Sequence, residues 1–222
     1  MINALLDAVL DRTVLAGYTS VGYRIRSRGW SAGELQRMEG KVVLVTGASS
    51  GLGVAAAEGF ARLGAVVWLA ARSEERGEDT RARISELSGN SDVHVGLCDL
   101  SNLMSVRQFA ERFRVRAPRL DVLVNNAGVM TEQRALSADG IELTLATNVV
   151  GPFLLTNLLG PLLERSAPAR IINVSSGGMY ARRIRVDDLQ SERGPFDGPA
   201  AYARTKRAQV ILTELWAQRL RG

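Results

Sequence analysis

Histidine, cysteine and lysine are the scarce residues of this 222-residue sequence, and their scarcity excludes several kinds of active site. His94 is the sole histidine and lies in an alternating run typical of a strand, so we expect it to be structural. A Ser-His-Asp triad or a histidine-rich zinc site would need that residue, so we predict no hydrolytic triad and no metal. Cys98 has no second cysteine to pair with, which fits a reducing, cytoplasmic location.

Long apolar runs and one-sided charge are also missing. No run of about eighteen apolar residues is present, so we expect no membrane-spanning helix. The start of the chain also lacks the pattern of a secretory signal. The net charge is +5, but the arginines alternate with acidic residues, as in Arg72–Arg83. This mixture predicts solvated helix faces rather than a nucleic-acid site.

Residues 1–39 differ in composition from the rest of the chain. Their first part has the apolar spacing of an amphipathic helix, followed by a stretch rich in glycine, serine and arginine; the apolar positions are Leu5, Leu6, Val9, Leu10, Val14 and Leu15. We predict an N-terminal extension that packs on the domain or makes peripheral contact with a membrane surface. Residues 40–222 then form one further domain.

Beyond Lys41, short apolar runs alternate with helical patterns. The predicted strands are Val42–Val45, Ala65–Ala70, Val93–Leu97, Leu120–Val124 and Ala169–Val174. The predicted helices are Gly51–Leu63, Glu74–Leu87, Asn102–Val115, Ala138–Arg165 and Pro199–Leu220. Continuous apolar strands separated by helices indicate a parallel sheet covered on both faces. The predicted fold class is therefore α/β, a Rossmann-type doubly wound sheet in three α/β/α layers.

A glycine-rich loop follows the first predicted strand directly and opens the first helix. Its three glycines suit a tight turn, a close approach of backbone to pyrophosphate, and close packing of helix on strand. The helix start then directs free N–H groups toward phosphate. The residues predicted to bind cofactor here are Gly47, Ser49, Ser50, Gly51, Leu52 and Gly53.

The end of the second predicted strand indicates which dinucleotide binds. Many dinucleotide folds hold the ribose 2′-hydroxyl with a carboxylate at this point. Here the strand ends in Ala71-Arg72-Ser73 and has no carboxylate. Because a guanidinium binds a 2′-phosphate well, Arg72 favours NADP(H) over NAD(H).

Candidate reacting groups cluster in the second half of the chain. Tyr202 and Lys206 are four positions apart, so on a helix they share one face. A neighbouring ammonium favours the phenolate, which suits Tyr202 for exchanging a proton with an alcohol or carbonyl oxygen. The fifth predicted strand ends in Ser175-Ser176, where a hydroxyl could bind the substrate oxygen or simply cap a turn.

Together these motifs resemble the short-chain dehydrogenase/reductase family over roughly Lys41 to Leu220. The resemblance implies a catalytic tetrad of Asn148, Ser176, Tyr202 and Lys206. In it, Tyr202 is the general acid/base and Ser176 steadies the substrate oxygen; Lys206 holds the nicotinamide ribose, and Asn148 supports a water. The resemblance also implies cofactor contacts from Asp99 with Leu100 and from Asn126, Ala127 and Gly128, besides Tyr202 and Lys206 themselves.

Within the family, three stretches resemble the subgroup called dehydrogenase/reductase member 12; they begin at Ser175, Asp188 and Tyr202. Twenty-six positions separate Ser176 from Tyr202, about twice the spacing usual in the family. The insert around Arg182–Gly198 is expected to form part of the pocket rim. Tyr180 is nearer to Ser176, but Ile184 occupies the position where a lysine partner would stand.

The sequence stops soon after the predicted Tyr202 helix, whereas the family continues with further strands and a substrate-covering segment. We therefore expect a chain that lacks the last strands of the family, with low stability and weak activity. The main functional hypothesis is an NADP(H)-dependent oxidoreductase acting on a small-molecule carbonyl or alcohol that is expected to be apolar, such as a lipid-like, retinoid-like or steroid-like compound. The alternatives are a nucleotide-binding module without turnover and a nucleotide-sugar epimerase or dehydratase. The long helices are expected to support a homo-oligomer.

Overall fold

The computed structural model describes residues 19–28 and 35–220, and the chain divides into two units, Met1–Arg37 and Met38–Gly222. In the first unit the described element is helix α1 (Ser20–Ser27), which lies in the Gly/Ser/Arg-rich stretch and was not predicted. Glycine and serine weaken a helix without forbidding it, and no proline interrupts this segment. The predicted helix around Leu5 and Leu15 lies outside the described residues.

The second unit contains a five-stranded parallel sheet within its described residues. The strands are β1 (Val42–Thr46), β2 (Val66–Ala71), β3 (Val93–Leu97), β4 (Val122–Asn125) and β5 (Arg170–Asn173). Their order across the sheet is β3-β2-β1-β4-β5. In β1, Val43 pairs with Val67 of β2 on one side and Val122 of β4 on the other. This order is that of a doubly wound Rossmann sheet, so the predicted fold class is confirmed.

Helices cover both faces of the sheet. They are α2 (Gly51–Arg62), α3 (Glu74–Ser88), α4 (Leu103–Arg116), α5 (Leu143–Leu145), α6 (Gly151–Arg165) and α7 (Gly198–Arg219). A π-helical turn (Ala146–Val150) joins α5 to α6, and short 3₁₀ turns span Gly177–Ala181 and Val186–Asp188. One core packs Phe109 of α4 and Leu155 of α6 against the sheet, and the other packs Ala57 of α2 and Ile84 of α3 on the opposite face.

Strand β1 lies at the centre of these layers and is buried along its whole length. Successive side chains of a strand point to opposite faces, so Leu44 enters the first core while Val43 and Val45 enter the second. His94 lies on β3 with its ring 4.9 Å from that of Trp68, centroid to centroid. Both faces of the centre are therefore filled by apolar side chains, and the sheet's free positions for a ligand are the strand ends.

The long helix predicted from Ala138 begins instead at Leu143, so that prediction was wrong by one turn and a half. Gly140 has a left-handed φ of +73°, and the backbone N–H of Ser137 donates to the carbonyl of Ile141 at 2.8 Å. These contacts make a turn of residues 137–141. The carboxylate of Glu142 then accepts from the backbone N–H groups of Thr144 and Leu145 and fixes the helix start there.

Within the described residues, one helical stretch is long and apolar enough to cross a membrane by length and composition. This stretch, Leu143–Arg165, has half of its most apolar window buried inside the domain. Leu155 and Leu159 of α6 belong to the sheet core. A core helix passes the same test, so the apolar character of this stretch follows from its packing.

Asp121 ties the amino ends of β1 and β4 together. Its carboxylate accepts from the backbone N–H of Val42 at 2.9 Å, from Lys41 Nζ at 3.0 Å and from Arg119 Nε at 2.7 Å. Burial alone would raise the pKa of Asp121. The hydrogen bonds from Arg119, Val42 and Lys41 outweigh that effect and hold the pKa below its usual 3.8.

Replacing this carboxylate should weaken the fold in a pH-dependent way. Asp121→Ala leaves the buried N–H of Val42 without its partner, so we expect the free energy of unfolding at pH 7 to fall by about 2 kcal/mol. A depressed native pKa contributes its full stabilisation above the unfolded pKa and loses it as the pH falls through the lower native pKa, so the wild-type advantage should begin to shrink below about pH 4. Urea unfolding at pH 7 and pH 3 measures both effects.

Asp92→Ala is the matched control, because Asp92 is an exposed aspartate just before β3. An equal loss of stability in both variants at pH 7 would contradict the role assigned to Asp121.

Candidate active site

A groove of about 300 Å³ opens at the carboxyl ends of β1, β2 and β4. Ten of the predicted cofactor residues line it: Gly47, Ser49, Ser50, Gly51, Leu52, Arg72, Leu100, Asn126, Ala127 and Gly128. The lining also includes residues that the sequence did not single out, namely Thr46, Ala70, Cys98, Val129 and Thr147. The groove lies where the chain order of the sheet reverses around β1, which is the usual ligand site of open α/β sheets.

Two glycines of the loop are required by close contacts. Gly47 has a φ of +63°, and a Cβ there would lie 2.8 Å from the Cα of Ala127. A Cβ on Gly53 would overlap the carbonyl oxygen of Gly47 and lie 2.7 Å from Asn126 Nδ2. Gly53 therefore packs beneath the loop instead of lining the groove. A side chain at either position would push the loop away from β4.

The amino end of α2 is suited to bind an anion. The helix begins at Gly51, the side chain of Ser50 makes no capping hydrogen bond, and no acidic residue occupies the first turn. The first N–H groups and the positive end of the helix dipole are thus available at the groove. This arrangement fits a pyrophosphate, whose oxygens accept such N–H groups.

Thr46 holds the loop ends after β1 and β4 in register. Its hydroxyl oxygen accepts from the backbone N–H groups of Asn126 at 3.0 Å and Ala127 at 3.1 Å. In return, Asn126 Nδ2 donates to the carbonyl oxygen of Thr46 at 2.9 Å. Asn126 is consequently occupied in joining the two loops, so its contribution to the groove is the wall it forms.

Two further predicted residues sit at the end of the groove next to β2. Arg72 follows β2 and is exposed at the groove. Asp99 lies between two lining residues, but one of its carboxylate oxygens accepts from Ser101 N at 2.9 Å and Ser101 Oγ at 2.7 Å. Burial, followed by the charge of Asp99, raises the pKa of the Cys98 thiol to about 12, so this cysteine is an inert wall residue.

The other end of the groove meets the Tyr202 helix at Gly128. A Cβ on Gly128 would lie 3.4 Å from Lys206 Nζ and 3.5 Å from Asn148 Oδ1. Lys206 Nζ also lies 5.6 Å from the ring centroid of Tyr202. Three members of the predicted tetrad therefore gather at the Gly128 end of the groove.

Asn148 connects the helix that carries Tyr202, α7, to the loop after β4. It is fully buried in the π-helical turn, and its side chain exchanges two hydrogen bonds with the backbone of Val129. Its Nδ2 also donates to Thr205 Oγ1 at 3.0 Å, and its backbone carbonyl oxygen accepts from Gln209 Nε2 at 2.7 Å. Asn148 thus fixes α7 against the floor of the groove.

The serine pair divides into two roles. Ser175 Oγ donates to the carbonyl of Lys206 at 2.9 Å, while Lys206 Nζ donates to the carbonyl of Val174 at 2.8 Å. Ser176 Oγ accepts from the N–H of Gly178 at 3.2 Å, which leaves its hydrogen able to donate. A Cβ on Gly178 would lie 3.6 Å from Ser176 Oγ and 4.0 Å from the Cβ of Ala203, next to Tyr202. Ser175 thus helps to position Lys206, whereas Ser176 retains a hydroxyl hydrogen that can be donated to a ligand.

Sequence reasoning missed the residues that hold the site together. Thr46 bonds to the loop after β4, and Thr205 and Gln209 bond to Asn148 in the π-helical turn; no local pattern marks these long-range hydrogen bonds. The nearest signal is the spacing along α7, where Thr205 and Gln209 flank Lys206 on its buried side.

With this geometry established, comparison with known proteins identifies the class. A family model described as short chain dehydrogenase matches residues 41–187. The chain belongs to this family of oxidoreductases, whose members bind a nicotinamide cofactor.

The chain is similar to particular members of the family. It is 42% identical over 205 residues to dehydrogenase/reductase SDR family member 12 of Homo sapiens, covering 92% of this chain and 64% of that protein. It is also 42% identical to retinol dehydrogenase 11 of Homo sapiens, covering 84% of this chain and 58% of that protein. The chain thus spans less than two thirds of the length of these relatives.

A solved structure agrees with these similarities. A short chain dehydrogenase from Escherichia coli CFT073, complexed with NADPH, matches with a TM-score of 0.68 and 28% identity. The match covers 84% of this chain and 74% of that one. The resemblance to the family that the motifs indicated is confirmed.

The buried lysine should make stability depend on pH. Burial lowers the pKa of Lys206 from 10.5 to about 8, so its charge destabilises the fold below that pH. Between these values the unfolded chain binds the proton and the folded chain does not. As the pH rises from 7 to 10, the free energy of unfolding of the wild type should therefore increase by up to about 3 kcal/mol relative to that of Lys206→Met.

Arg207→Met is the control on the same helix, because an arginine keeps its charge over this range. Denaturant unfolding of all three proteins at both pH values gives the comparison. If the difference in free energy of unfolding between wild type and Lys206→Met does not change with pH, the charge of Lys206 does not destabilise the fold.

Proposed function

We propose that the chain is an NADP(H)-dependent oxidoreductase that interconverts a carbonyl and an alcohol, with Tyr202 as the general acid/base. One observation carries the proposal. The groove that starts at the glycine loop ends at Gly128, and there Lys206 and Asn148 converge beside Tyr202. A dinucleotide laid along this groove brings its reactive ring to the only region where the predicted tetrad residues gather in the described structure.

Arg72 supports NADP(H) over NAD(H). It lines the groove at the end of β2, where the sequence has no carboxylate to repel a 2′-phosphate. A guanidinium binds phosphate with two parallel hydrogen bonds. The NADPH bound to the similar Escherichia coli protein is consistent with the same choice.

The chemistry divides between cofactor and protein. When bound, the nicotinamide supplies or accepts the hydride. For reduction, the Tyr202 hydroxyl donates its proton to the carbonyl oxygen, and the reverse transfer serves alcohol oxidation. Ser176 donates its hydroxyl hydrogen to the same oxygen, since Gly178 already occupies its acceptor side. Lys206 holds positive charge near the Tyr202 ring and favours the phenolate during transfer.

The substrate we propose is a small apolar carbonyl or alcohol. The segment between Ser176 and Tyr202 carries exposed apolar side chains, including Tyr180, Val186 and Leu189. Two relatives of the chain are named for dehydrogenase or retinol dehydrogenase activity. A retinoid-like alcohol or aldehyde is therefore the first substrate to test.

Cofactor preference should depend on Arg72. Arg72→Glu replaces a phosphate-binding cation with a repelling anion, so we expect the Kd for NADPH to rise about 100-fold. The Kd for NADH should change little, because NADH has no 2′-phosphate. Fluorescence titration of both cofactors measures the effect.

Arg83→Glu makes the same charge change at an exposed position of α3 and serves as the control. An unchanged preference for NADPH over NADH in Arg72→Glu would contradict the assignment of Arg72 to the 2′-phosphate.

Turnover should depend on Tyr202 while cofactor binding does not. Tyr202→Phe removes only the hydroxyl, so we expect kcat to fall about 100-fold to 10,000-fold. The Kd for NADPH should stay within about twofold, since one hydroxyl among many contacts carries little cofactor affinity. NADPH oxidation with retinaldehyde and a panel of carbonyls gives the rates.

Tyr180→Phe is the matched control, because Tyr180 is the tyrosine nearer to Ser176 in sequence and lacks a lysine four positions on. Full activity of Tyr202→Phe would remove the assigned acid/base. Tight NADPH binding without turnover of any carbonyl by the wild type would favour a nucleotide-binding module. The comparisons do not favour that module, since the matched relatives are named as dehydrogenases.

A further inference from the structure

Ser176 lies at the start of a 3₁₀ turn that has little stiffness of its own. The turn spans Gly177–Ala181 and begins with two adjacent glycines. Glycine leaves the backbone more conformational freedom than any other residue, so a Gly-Gly pair does not fix the residue before it. The position of the Ser176 hydroxyl must therefore be set by contacts between this turn and the rest of the domain.

Two hydrogen bonds fold the turn back onto Ser176. The backbone N–H of Gly178 donates to Ser176 Oγ at 3.2 Å. The backbone N–H of Met179 donates to the carbonyl oxygen of Ser176 at 3.1 Å. Because both donors belong to neighbouring residues of one short turn, a contact that fixes Met179 also fixes the Ser176 hydroxyl.

Helix α7 holds the chain on the amino-terminal side of Ser176 through Lys206. The ammonium Nζ of Lys206 donates to the carbonyl oxygen of Val174 at 2.8 Å. In the other direction, Ser175 Oγ donates to the backbone carbonyl oxygen of Lys206 at 2.9 Å. These two bonds fix the end of the fifth strand against the helix, but they leave the glycine side of Ser176 without an attachment.

Arg207 supplies the attachment on the glycine side. Its Nη1 donates to the carbonyl oxygen of Met179 at 3.3 Å in a partly buried contact. Arg207 forms no salt bridge with any of residues 19–28 and 35–220, so no carboxylate draws its guanidinium away from the turn. A hydrogen bond from a charged donor is stronger than one between neutral groups, so this contact favours one position of the turn.

We propose that Arg207 is a positioning residue for Ser176: it anchors the 3₁₀ turn to α7 and so sets where the Ser176 hydroxyl lies relative to Tyr202. Arg207 and Tyr202 belong to the same helix, so the anchor and the tyrosine keep a fixed relation to each other. The turn also packs on that helix beside the tyrosine, because a Cβ on Gly178 would lie 4.0 Å from the Cβ of Ala203.

The consequence for catalysis rests on the proposed function. In that function Ser176 and Tyr202 donate to the same carbonyl oxygen, so their hydroxyls must converge on one point. Misplacing one such group by about 1 Å lowers the rate by up to about 100-fold. Arg207 is not among the residues that line the cofactor groove, so its loss should lower kcat and leave the affinity for NADPH unchanged.

Hydrogen exchange tests the anchor without any need for turnover. Arg207→Met keeps an aliphatic stem for packing but donates no hydrogen bond. The backbone amides of Gly178 and Met179, resolved by NMR, should then exchange at least about tenfold faster than in the wild type. Amides of the glycine loop should keep their wild-type rates. Arg219→Met, at the exposed end of α7, is the control and should change neither region.

A double-mutant cycle asks whether Arg207 acts through Ser176. With NADPH and a reducible carbonyl, Arg207→Met should lower kcat by about tenfold to 100-fold. Made in a Ser176→Ala background, the same change should lower kcat by less than about twofold, because the hydroxyl that Arg207 positions is already absent. A role in general stability would lower kcat equally in both backgrounds, and that result would overturn the proposal.

The remaining outcomes separate the anchor from the function that it serves. Wild-type exchange of the Gly178 and Met179 amides in Arg207→Met would overturn the anchor. A Kd for NADPH that rises more than about twofold in Arg207→Met would also overturn it, since Arg207 would then act on the cofactor. A wild type that reduces no carbonyl would refute the proposed function and leave the exchange result to judge the anchor. If Arg207→Met does not fold, Arg207→Gln, with its shorter polar side chain, is judged by the same measurements.

Discussion

The hydroxyl of Thr46 joins the carboxyl ends of β1 and β4, and the rest of the candidate site depends on that junction. It accepts two backbone N–H groups from the loop after β4, and Asn126 returns a hydrogen bond to the backbone of Thr46. With the two loops so joined, Gly47 lies against Ala127 without room for a side chain. The groove is therefore bounded by backbone on both sides, which suits a ligand recognised through N–H groups.

Helix α7 is the second organising element, because three residues of its buried face, Thr205, Lys206 and Gln209, have hydrogen-bond partners at the site. Thr205 and Gln209 hold Asn148, while the main chain and side chain of Lys206 are bonded to Ser175 and Val174. These bonds keep an ammonium in a nearly dry position, where its charge opposes folding. Such an arrangement costs stability and is found where chemistry requires the charge.

Much of the fold was predictable from local patterns. The apolar runs marked every strand of the sheet to within about two residues, although only β1, β2 and β4 are buried on both faces and the edge strands β3 and β5 are partly exposed. The glycine loop and the Tyr202–Lys206 pair were also evident, because their chemistry depends on short, fixed spacings.

What could not be predicted depends on contacts between distant residues. The start of α5 is set by the turn at Gly140 and the Glu142 cap, which override an apolar pattern that would allow an earlier start. The π-helical turn around Asn148 reflects bonds to Val129 and Gln209.

The order of the sheet carries a consequence for how the chain reaches its native state. Thr46 and Asn126, whose contact closes the centre of the sheet, are 80 positions apart. During synthesis β1 emerges long before β4, so the edge of β1 that pairs with β4 remains unpaired while the intervening residues are made. Closing so long a segment is slow, since its entropy is lost before the strand pairing compensates. A site that is assembled from opposite halves of the chain therefore forms late in folding.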